Sequence, residues 1–229
     1  MRMVRPAPHN LTCMGRLPDL ANARQRLGLA LEVLRHDRWV LGDLSDGRLD
    51  PIASSDLSRQ LMQSRPLKPL ARRALFEQRP LVVNSVLDEA ASGKSYDWEL
   101  DWPALMYVPV AELGCRPIGL LVLGCRRDHW YSEDDINYAG ALGATLTPLV
   151  AKIAASLRRL NDSEREVAQL LSHGLSSTEI AKLIKAEECR THTLVEDVTR
   201  KLDPHPSRPE GHDEPPLQGG STRGLQMTW

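Results

Sequence analysis

MYVPVAELGCRPIGLLVLGCRRDHWYSEDDINYAGAL, residues 106–142, contains the clearest pattern of secondary structure in the chain. It contains most of two apolar runs, 104–110 and 117–125, which have the length of buried strands and are joined around Gly114. Ser132 then precedes three acidic residues, a combination typical of the first turn of a helix. Two adjacent buried strands followed by a long helix predict an antiparallel sheet covered by helices on one face.

The segments before this stretch extend the same pattern. Asp46-Gly47 separates two apolar runs, which predicts a β-hairpin. Leu and Ala residues at helical spacing predict a helix before it. The predicted elements are a helix over 19–36, strands over 38–44 and 48–55, short helices over 57–65 and 69–78, a strand over 81–87 and a loop over 87–103.

This order of elements resembles the GAF domain family over residues 19–155. The resemblance is most specific where a strand ends in Val108-Pro109-Val110 and where Trp130-Tyr131-Ser132-Glu133 leads into the long helix. It implies an α+β fold with a central antiparallel sheet, and a sensory domain over residues 18–143. A PAS-like domain, which has a similar order of elements, is the alternative.

GAF domains usually hold a small ligand between the sheet and the helices and loop on one of its faces. The residues that could line such a pocket are Trp39, Tyr96, Trp98, Trp102, Met106 and Tyr107. The alternative is that those on strands belong to the core and those on the loop anchor it at the surface. No suitable haem ligand, metal-ligand spacing or phosphate loop stands out in the sequence, so we expect no cofactor and no metal.

A second apolar pattern begins at Leu142. Its steps of three and four residues are close to heptad spacing and predict a homodimer through the helix 142–160. The residues of this leucine seam are Leu142, Leu146, Leu149, Ile153, Leu157 and Leu160. The alternative is that the helix, whose linker portion is 144–159, packs on the sheet of its own chain. Pro148 predicts a kink in either case.

LNDSEREVAQLLSHGLSSTEIAKLIKAEECRTHTLVEDVTRKL, residues 160–202, resembles the LuxR/FixJ-type helix-turn-helix without a gap. Asn161 with Glu164, and Ser176 with Glu179, have the spacing of helix capping boxes. The resemblance implies three helices, the third of which enters the major groove of DNA. The DNA contacts that it implies are Thr178, Lys182, Arg190, Thr191, His192, Val195 and Lys201.

The third helix departs from this family at positions that face DNA. His192 stands where the family has Lys, and Asp197 stands where it has Asn. Six basic and eight acidic residues give 160–202 a net charge of −2, which disfavours phosphate contact. Asp203-Pro204 follows where the family continues with a fourth helix, so that helix is missing. These departures predict either weak DNA binding or a degenerate helix-turn-helix that has lost DNA.

Composition and charge narrow the classes of binding partner and cellular location that remain open. The net charge of −1 creates no general attraction to nucleic acid or anionic lipid. The sequence has four cysteines but no C-x-x-C pair. It also has no signal peptide and no apolar run long enough to span a membrane. These features predict a cytoplasmic protein with no membrane partner. Segments 1–17 and 203–229 contain prolines and no apolar pattern, which predicts disorder.

These patterns together predict a transcription regulator in which a GAF-like sensory domain controls a LuxR-type helix-turn-helix that binds DNA. The alternative is a protein-interaction regulator whose helix-turn-helix no longer binds DNA. A remote alternative is a GAF-type methionine sulfoxide reductase, because Cys115 and Cys125 flank one strand, but no acidic cluster accompanies them and we expect no enzyme. Neither the ligand of the GAF domain nor the operator follows from the sequence.

Overall fold

The computed structural model describes residues 18–57, 63–83, 102–126 and 131–202. The two segments predicted to be disordered lie outside these ranges, as does nearly all of the predicted 87–103 loop with Tyr96 and Trp98. The described residues form one six-stranded sheet and six helices.

The strands are β1 Arg38–Ser45, β2 Arg48–Ser54, β3 Arg65–Pro66, β4 Leu81–Val83, β5 Ala104–Val110 and β6 Gly119–Cys125. They pair antiparallel in the order β3-β2-β1-β6-β5-β4. Asp46 and Gly47 form the predicted turn between β1 and β2, with φ values of 49° and 72°. Two positive φ values are typical of a type I′ turn, whose twist matches that of the paired strands. The hairpin prediction is confirmed.

The helices are α1 Pro18–Leu31, α2 Pro69–Glu77, α3 Glu133–Leu157, α4 Asp162–Ser172, α5 Ser177–Ile184 and α6 Glu188–Leu202. Helices α1 and α3 cover one face of the sheet, and α2 covers the other. Strands β5 and β6 are buried along their whole length, so each face carries its own core. The predicted α+β fold with an antiparallel sheet is confirmed.

Helix α3 is the longest element and joins the sheet to the C-terminal helices. The Ser132 side chain caps it by accepting a hydrogen bond from the backbone N–H of Asp135. The helix continues through Pro148 as one element, across the predicted boundary between a domain that ends at 143 and a linker helix over 144–159. Among the described helices, α3 alone is long and apolar enough to span a membrane by length and composition, and it packs here against β5 and α1.

The leucine seam of α3 faces the interior of its own chain. Ile153 is 2% exposed and Leu160, just after the helix, is 4% exposed. Four seam residues are buried: Leu146, Ile153, Leu157 and Leu160. Leu142 and Leu149 are half-buried and pack against the same core. The interpretation of this seam as a dimer interface is therefore wrong, because the sheet and the C-terminal helices already occupy it.

The last three helices pack into a three-helix unit. The side chains of Asn161 and Ser176 cap α4 and α5 by accepting hydrogen bonds from the backbone N–H groups of Glu164 and Glu179, as the spacing predicts. The core of the unit contains Val167, Leu170, Ile180, Val195 and Val198. This core is continuous with the core between the sheet and α1, so the unit is docked on the sheet domain.

Two predicted elements differ from the structure. The predicted 57–65 helix ends in a strand instead, because Arg65 pairs with Leu49 in β3; residues 58–62 lie outside the described ranges. Since β3 is an edge strand, it tolerates Pro66, which has no N–H to donate. The predicted 19–36 helix ends earlier, at Leu31.

Candidate functional site

Two predicted pocket residues lie on the face of the sheet that α2 covers. Tyr107 of β5 is 1% exposed, and Trp102, which precedes the same strand, is 2% exposed. Both belong to the apolar cluster that includes Leu70 and Ala74 of α2. Their side chains pack between the sheet and this helix.

Trp102 lies directly over Gly124 of β6. A Cβ added to Gly124 would come within 1.6 Å of Trp102 Cε3, so the indole occupies the space of a side chain at that position. The Arg38 guanidinium lies 6.0 Å from the centroid of the same indole, within reach of a cation–π contact. A ligand at this end of the α2 face would therefore have to displace Trp102.

The other two described pocket residues lie on the opposite face. Trp39 and Met106 are 4% and 0% exposed, and both belong to the core beneath α1 and α3. Side chains alternate along a strand, so the neighbours Met106 and Tyr107 point to different faces. The predicted residues therefore cannot line one pocket, which corrects that prediction. Trp39 and Met106 belong to the core, as the alternative stated.

The two cysteines near β6 do not form a redox pair. Cys115 is exposed in the turn before β6, whereas Cys125 is buried at the far end, and the strand between them is about 20 Å long. Cys125 Sγ lies 3.2 Å from the carbonyl oxygen of Arg35 and 3.4 Å from Tyr131 Oη. Burial raises the pKa of the Cys125 thiol, which disfavours the reactive thiolate. In the described ranges, no group of His, Cys, Asp and Glu side chains is placed to hold a metal ion.

Five of the seven residues predicted to contact DNA are exposed, Thr178 and Lys201 among them. The other three are Lys182 on α5, and Arg190 and His192 on α6. His192 Nδ1 lies 3.5 Å from Glu196 Oε1, one turn further along α6. These three side chains are available to a partner, although an acidic residue accompanies His192.

Two of the predicted DNA contacts are wrong. Thr191 is 1% exposed and Val195 is 9% exposed, because both lie on the face of α6 that closes the core of the three-helix unit. Thr191 Oγ1 donates to the carbonyl oxygen of Glu187 at 3.0 Å. Neither side chain can reach DNA in this fold.

The remaining two predicted contacts hold the three-helix unit together. Thr178 Oγ1 donates to Glu188 Oε1 at 2.5 Å, which connects α5 to the start of α6. Lys201 Nζ lies 2.6 Å from Glu164 Oε1, which connects the end of α6 to the first turn of α4. Lys201, together with the backbone N–H of Asn161, holds the pKa of Glu164 below its usual range.

A cleft of about 800 Å³ lies between the β1–β2 hairpin and α4. The Arg158 guanidinium lies 3.2 Å from Asp43 Oδ2, and Arg165 Nη1 lies 3.8 Å from Asp50 Oδ2. Burial raises the pKa of Asp43, although its hydrogen bond with Arg158 acts in the opposite direction. These ion pairs join the sheet domain to the end of α3 and to α4.

No local sequence pattern predicts this junction. Gln169 is 7% exposed and its Nε2 donates to the carbonyl oxygen of Pro51 at 2.6 Å, across 118 positions of the chain. Pro51 pairs with Gly42, next to an irregularity in the β1–β2 pairing. The only local signal was a polar Gln169 beside apolar neighbours on α4, and such a signal does not name a partner.

Comparison with known families identifies the sheet domain. Residues 27–151 match the model of the GAF domain, which is more than half of the chain. The chain belongs to the GAF domain family. GAF domains are sensory modules, which implies a role in sensing or signalling. The match ends within α3, and helices α4, α5 and α6 lie beyond it.

Solved GAF structures resemble the chain in fold. The GAF domain of an Acinetobacter phosphoenolpyruvate-protein phosphotransferase is 16% identical, with a TM-score of 0.50 over 66% of this chain and 97% of that one. The corresponding domain from Coxiella burnetii is 18% identical, with a TM-score of 0.49 over 64% and 95%. The type II free methionine-R-sulfoxide reductase of Thermoplasma acidophilum is 16% identical, with a TM-score of 0.49 over 60% and 95%. No curated protein matches the chain.

Proposed function

We propose that this GAF protein is a cytoplasmic transcription regulator whose C-terminal helices form a LuxR/FixJ-type helix-turn-helix that binds DNA. The observation that carries the proposal is the run of residues typical of that family, in register through α4 and α5. Its apolar members Val167, Ile180 and Val195 are buried together, and both of its capping boxes are formed. This packing supports the proposal.

The start of α6 supplies the proposed contact to bases. Arg190 is exposed in the first turn, the part of a recognition helix that reaches base edges. A guanidinium can make the bidentate contact to guanine that is the commonest specific contact in the major groove. Lys182 on α5 would contact the phosphate backbone.

We expect this binding to be weak, because acidic residues offset the basic ones. Helix α6 carries three basic and three acidic residues. Arg200 pairs with Asp197, and Lys201 pairs with Glu164. Both cations are therefore partly neutralised within the unit before any phosphate arrives.

The junction at α4 offers a route from the sheet domain to the helix-turn-helix. Gln169 and Arg165 on α4 contact Pro51 and Asp50 of the hairpin. Leu49, on the same strand, belongs to the apolar cluster beneath α2, at the end of the sheet opposite Trp102. A ligand-induced shift of β2 would thus change how α4 is held.

We propose that the protein acts as a homodimer through the outward face of α3. Eight of the 25 residues of α3 are buried within the chain. Small residues are exposed along the helix at steps of three and four: Ala141, Ala144, Pro148, Ala151 and Ala155. This spacing allows two copies of the helix to pair closely, and a dimer would present two helix-turn-helix units to two half-sites.

A second function is favoured by the acidic character of the unit. Its net charge is −2, and Glu188 and Glu164 hold Thr178 and Lys201. A degenerate helix-turn-helix of this kind would serve protein interaction instead of DNA binding.

The test is selection of duplex DNA from a random library by the full chain, followed by titration of the selected site by anisotropy over a salt series. Arg190→Ala should weaken binding by about 1–3 kcal/mol and relax preference at one base pair. Arg26→Ala, at an exposed position on α1, is the matched control and should leave the affinity unchanged.

The double variant His192→Lys, Asp197→Asn distinguishes the two functions. If this variant binds DNA strongly and the natural chain does not bind at any salt concentration, the natural helix-turn-helix has lost its ability to bind DNA. If both bind and Arg190→Ala does not, the regulator proposal stands.

A further inference from the structure

A strongly basic surface lies on α2, away from the three-helix unit. Residues 68–79 carry four basic residues and one acid, a net charge of +3 in a chain whose total is −1. We call it the basic α2 surface and define it by Lys68, Arg72, Arg73, Phe76 and Arg79. Helix α2 covers one face of the sheet, whereas α4 contacts α1, which covers the opposite face. The basic α2 surface therefore lies on the face of the sheet opposite the three-helix unit and its predicted DNA contacts.

The arginines of this surface are held in place by hydrogen bonds at their Nε atoms. Arg72 Nε donates to the carbonyl oxygen of Leu67 at 3.0 Å. Arg73 Nε and Arg79 Nε donate to the two carboxylate oxygens of Glu77, at 2.7 and 2.8 Å. Glu77 offsets one of the two positive charges of Arg73 and Arg79, whereas Arg72 is held by an uncharged carbonyl and keeps its full charge. All three contacts restrict side chains that solvent would otherwise leave mobile, which lowers the entropic cost of binding an anion.

Phe76 projects from the middle of this basic surface. It is the only Phe in the chain and is 88% exposed, whereas Leu70, Ala71 and Ala74 of the same helix are buried. Arg72 precedes it by one helical turn, so the two side chains are neighbours on the outer face of α2. An exposed aromatic ring flanked by guanidinium groups combines a stacking platform with charges that pair with phosphate.

We propose that the basic α2 surface binds single-stranded nucleic acid, with Arg72, Arg73 and Arg79 on phosphates and an unpaired base stacked on Phe76. A lipid surface fits less well, because one aromatic side chain supplies little apolar area for insertion and fixed guanidinium groups match discrete phosphates. Duplex DNA offers the same phosphates but no exposed base face for Phe76. This activity does not depend on the helix-turn-helix.

The test is anisotropy of the full chain with a labelled mixed-sequence DNA strand of about 20 nucleotides and with its duplex. The single strand should bind more tightly than the duplex. Arg72→Glu with Arg73→Glu should weaken this binding at least about tenfold and reduce the salt slope by about 1.4, the value for two phosphate contacts on a single strand. Phe76→Ala should weaken it about tenfold without changing the slope, because stacking releases no counterion.

Matched controls lie in the turn between β5 and β6. Arg116→Glu reverses an exposed charge, and Leu113→Ala removes a fully exposed apolar side chain. Both should leave strand binding unchanged, as should Arg190→Ala in the three-helix unit. Three results would each overturn the proposal: no strand binding at about 50 mM salt, loss of strand binding by the Arg190 variant alone, or the same affinity with the α2 variants. If these variants instead abolish binding to phosphatidylserine vesicles and the strand does not bind, the surface serves a membrane.

Discussion

Gln169 Nε2 donates a hydrogen bond of 2.6 Å to the carbonyl oxygen of Pro51, in a buried contact between α4 and the β1–β2 hairpin. This bond connects the helix that begins the three-helix unit to β2, the second strand from one edge of the sheet. The other amide atom, Gln169 Oε1, is buried without a hydrogen-bond partner among the described residues. The contact therefore holds orientation at an energetic cost, since an unpaired buried polar atom is unfavourable.

Removal of this contact should loosen the attachment of the three-helix unit. Gln169→Ala leaves the Pro51 carbonyl unpaired and opens space beside it, so we expect a loss of about 1–3 kcal/mol in the free energy of unfolding. Hydrogen exchange of the α4 amides should accelerate as well. The measurement is urea unfolding of the full chain. Gln25→Ala, an exposed glutamine on α1, is the control, and equal stability of the two variants would contradict this prediction.

Gly124 should tolerate no side chain. In Gly124→Ala the new Cβ would lie within 1.6 Å of the Trp102 indole, so the ring must move out of its packed position. We expect the free energy of unfolding to fall by about 1–3 kcal/mol or more. A Cβ added to Gly28, within α1, would have no atom within 4 Å. Gly28→Ala should therefore raise the free energy of unfolding by about 0.5–1 kcal/mol, because alanine has the higher helix propensity. Thermal unfolding of the two variants tests the contrast, which fails if Gly124→Ala is neutral.

His173 should make the protein less stable as the pH falls below 6.5. Burial, with a smaller effect from the nearby Arg24, lowers its pKa from 6.5 to about 4. The unfolded chain therefore takes up this proton first as the pH falls, and stability is lost between pH 6.5 and 4 but not above that window. His173→Gln should show a weaker pH dependence of the unfolding free energy there. Parallel slopes for variant and natural protein would exclude this role.

The two sides of α3 should respond differently to the same charge. Ile153→Asp places a carboxylate in the core. It should lower the free energy of unfolding by about 3 kcal/mol or more, so the sheet domain should unfold. Ala151→Asp lies on the exposed side and should keep the melting temperature. If the outward face pairs two copies, Ala151→Asp should yield folded monomers in sedimentation. A natural protein that is itself monomeric would refute the dimer proposal.

Local patterns in the chain predicted its elements well. Asp46-Gly47 predicted the hairpin because these residues tolerate the positive φ values that the turn requires. Asn161 with Glu164 predicted the start of α4 because a capping box is satisfied within four residues. The prediction failed at Arg65, where pairing with β2 outweighed a local helical pattern.

The antiparallel sheet, its covering helices and the motif of the three-helix unit follow from local sequence patterns, because each depends on residues near one another in the chain. The face to which each side chain points follows from the tertiary structure. That structure separated Met106 from Tyr107, buried Thr191 and Val195, and turned the leucine seam inward. These outcomes depend on contacts between distant segments, such as the one 118 positions apart at Gln169, and the spacing of neighbouring residues does not encode them.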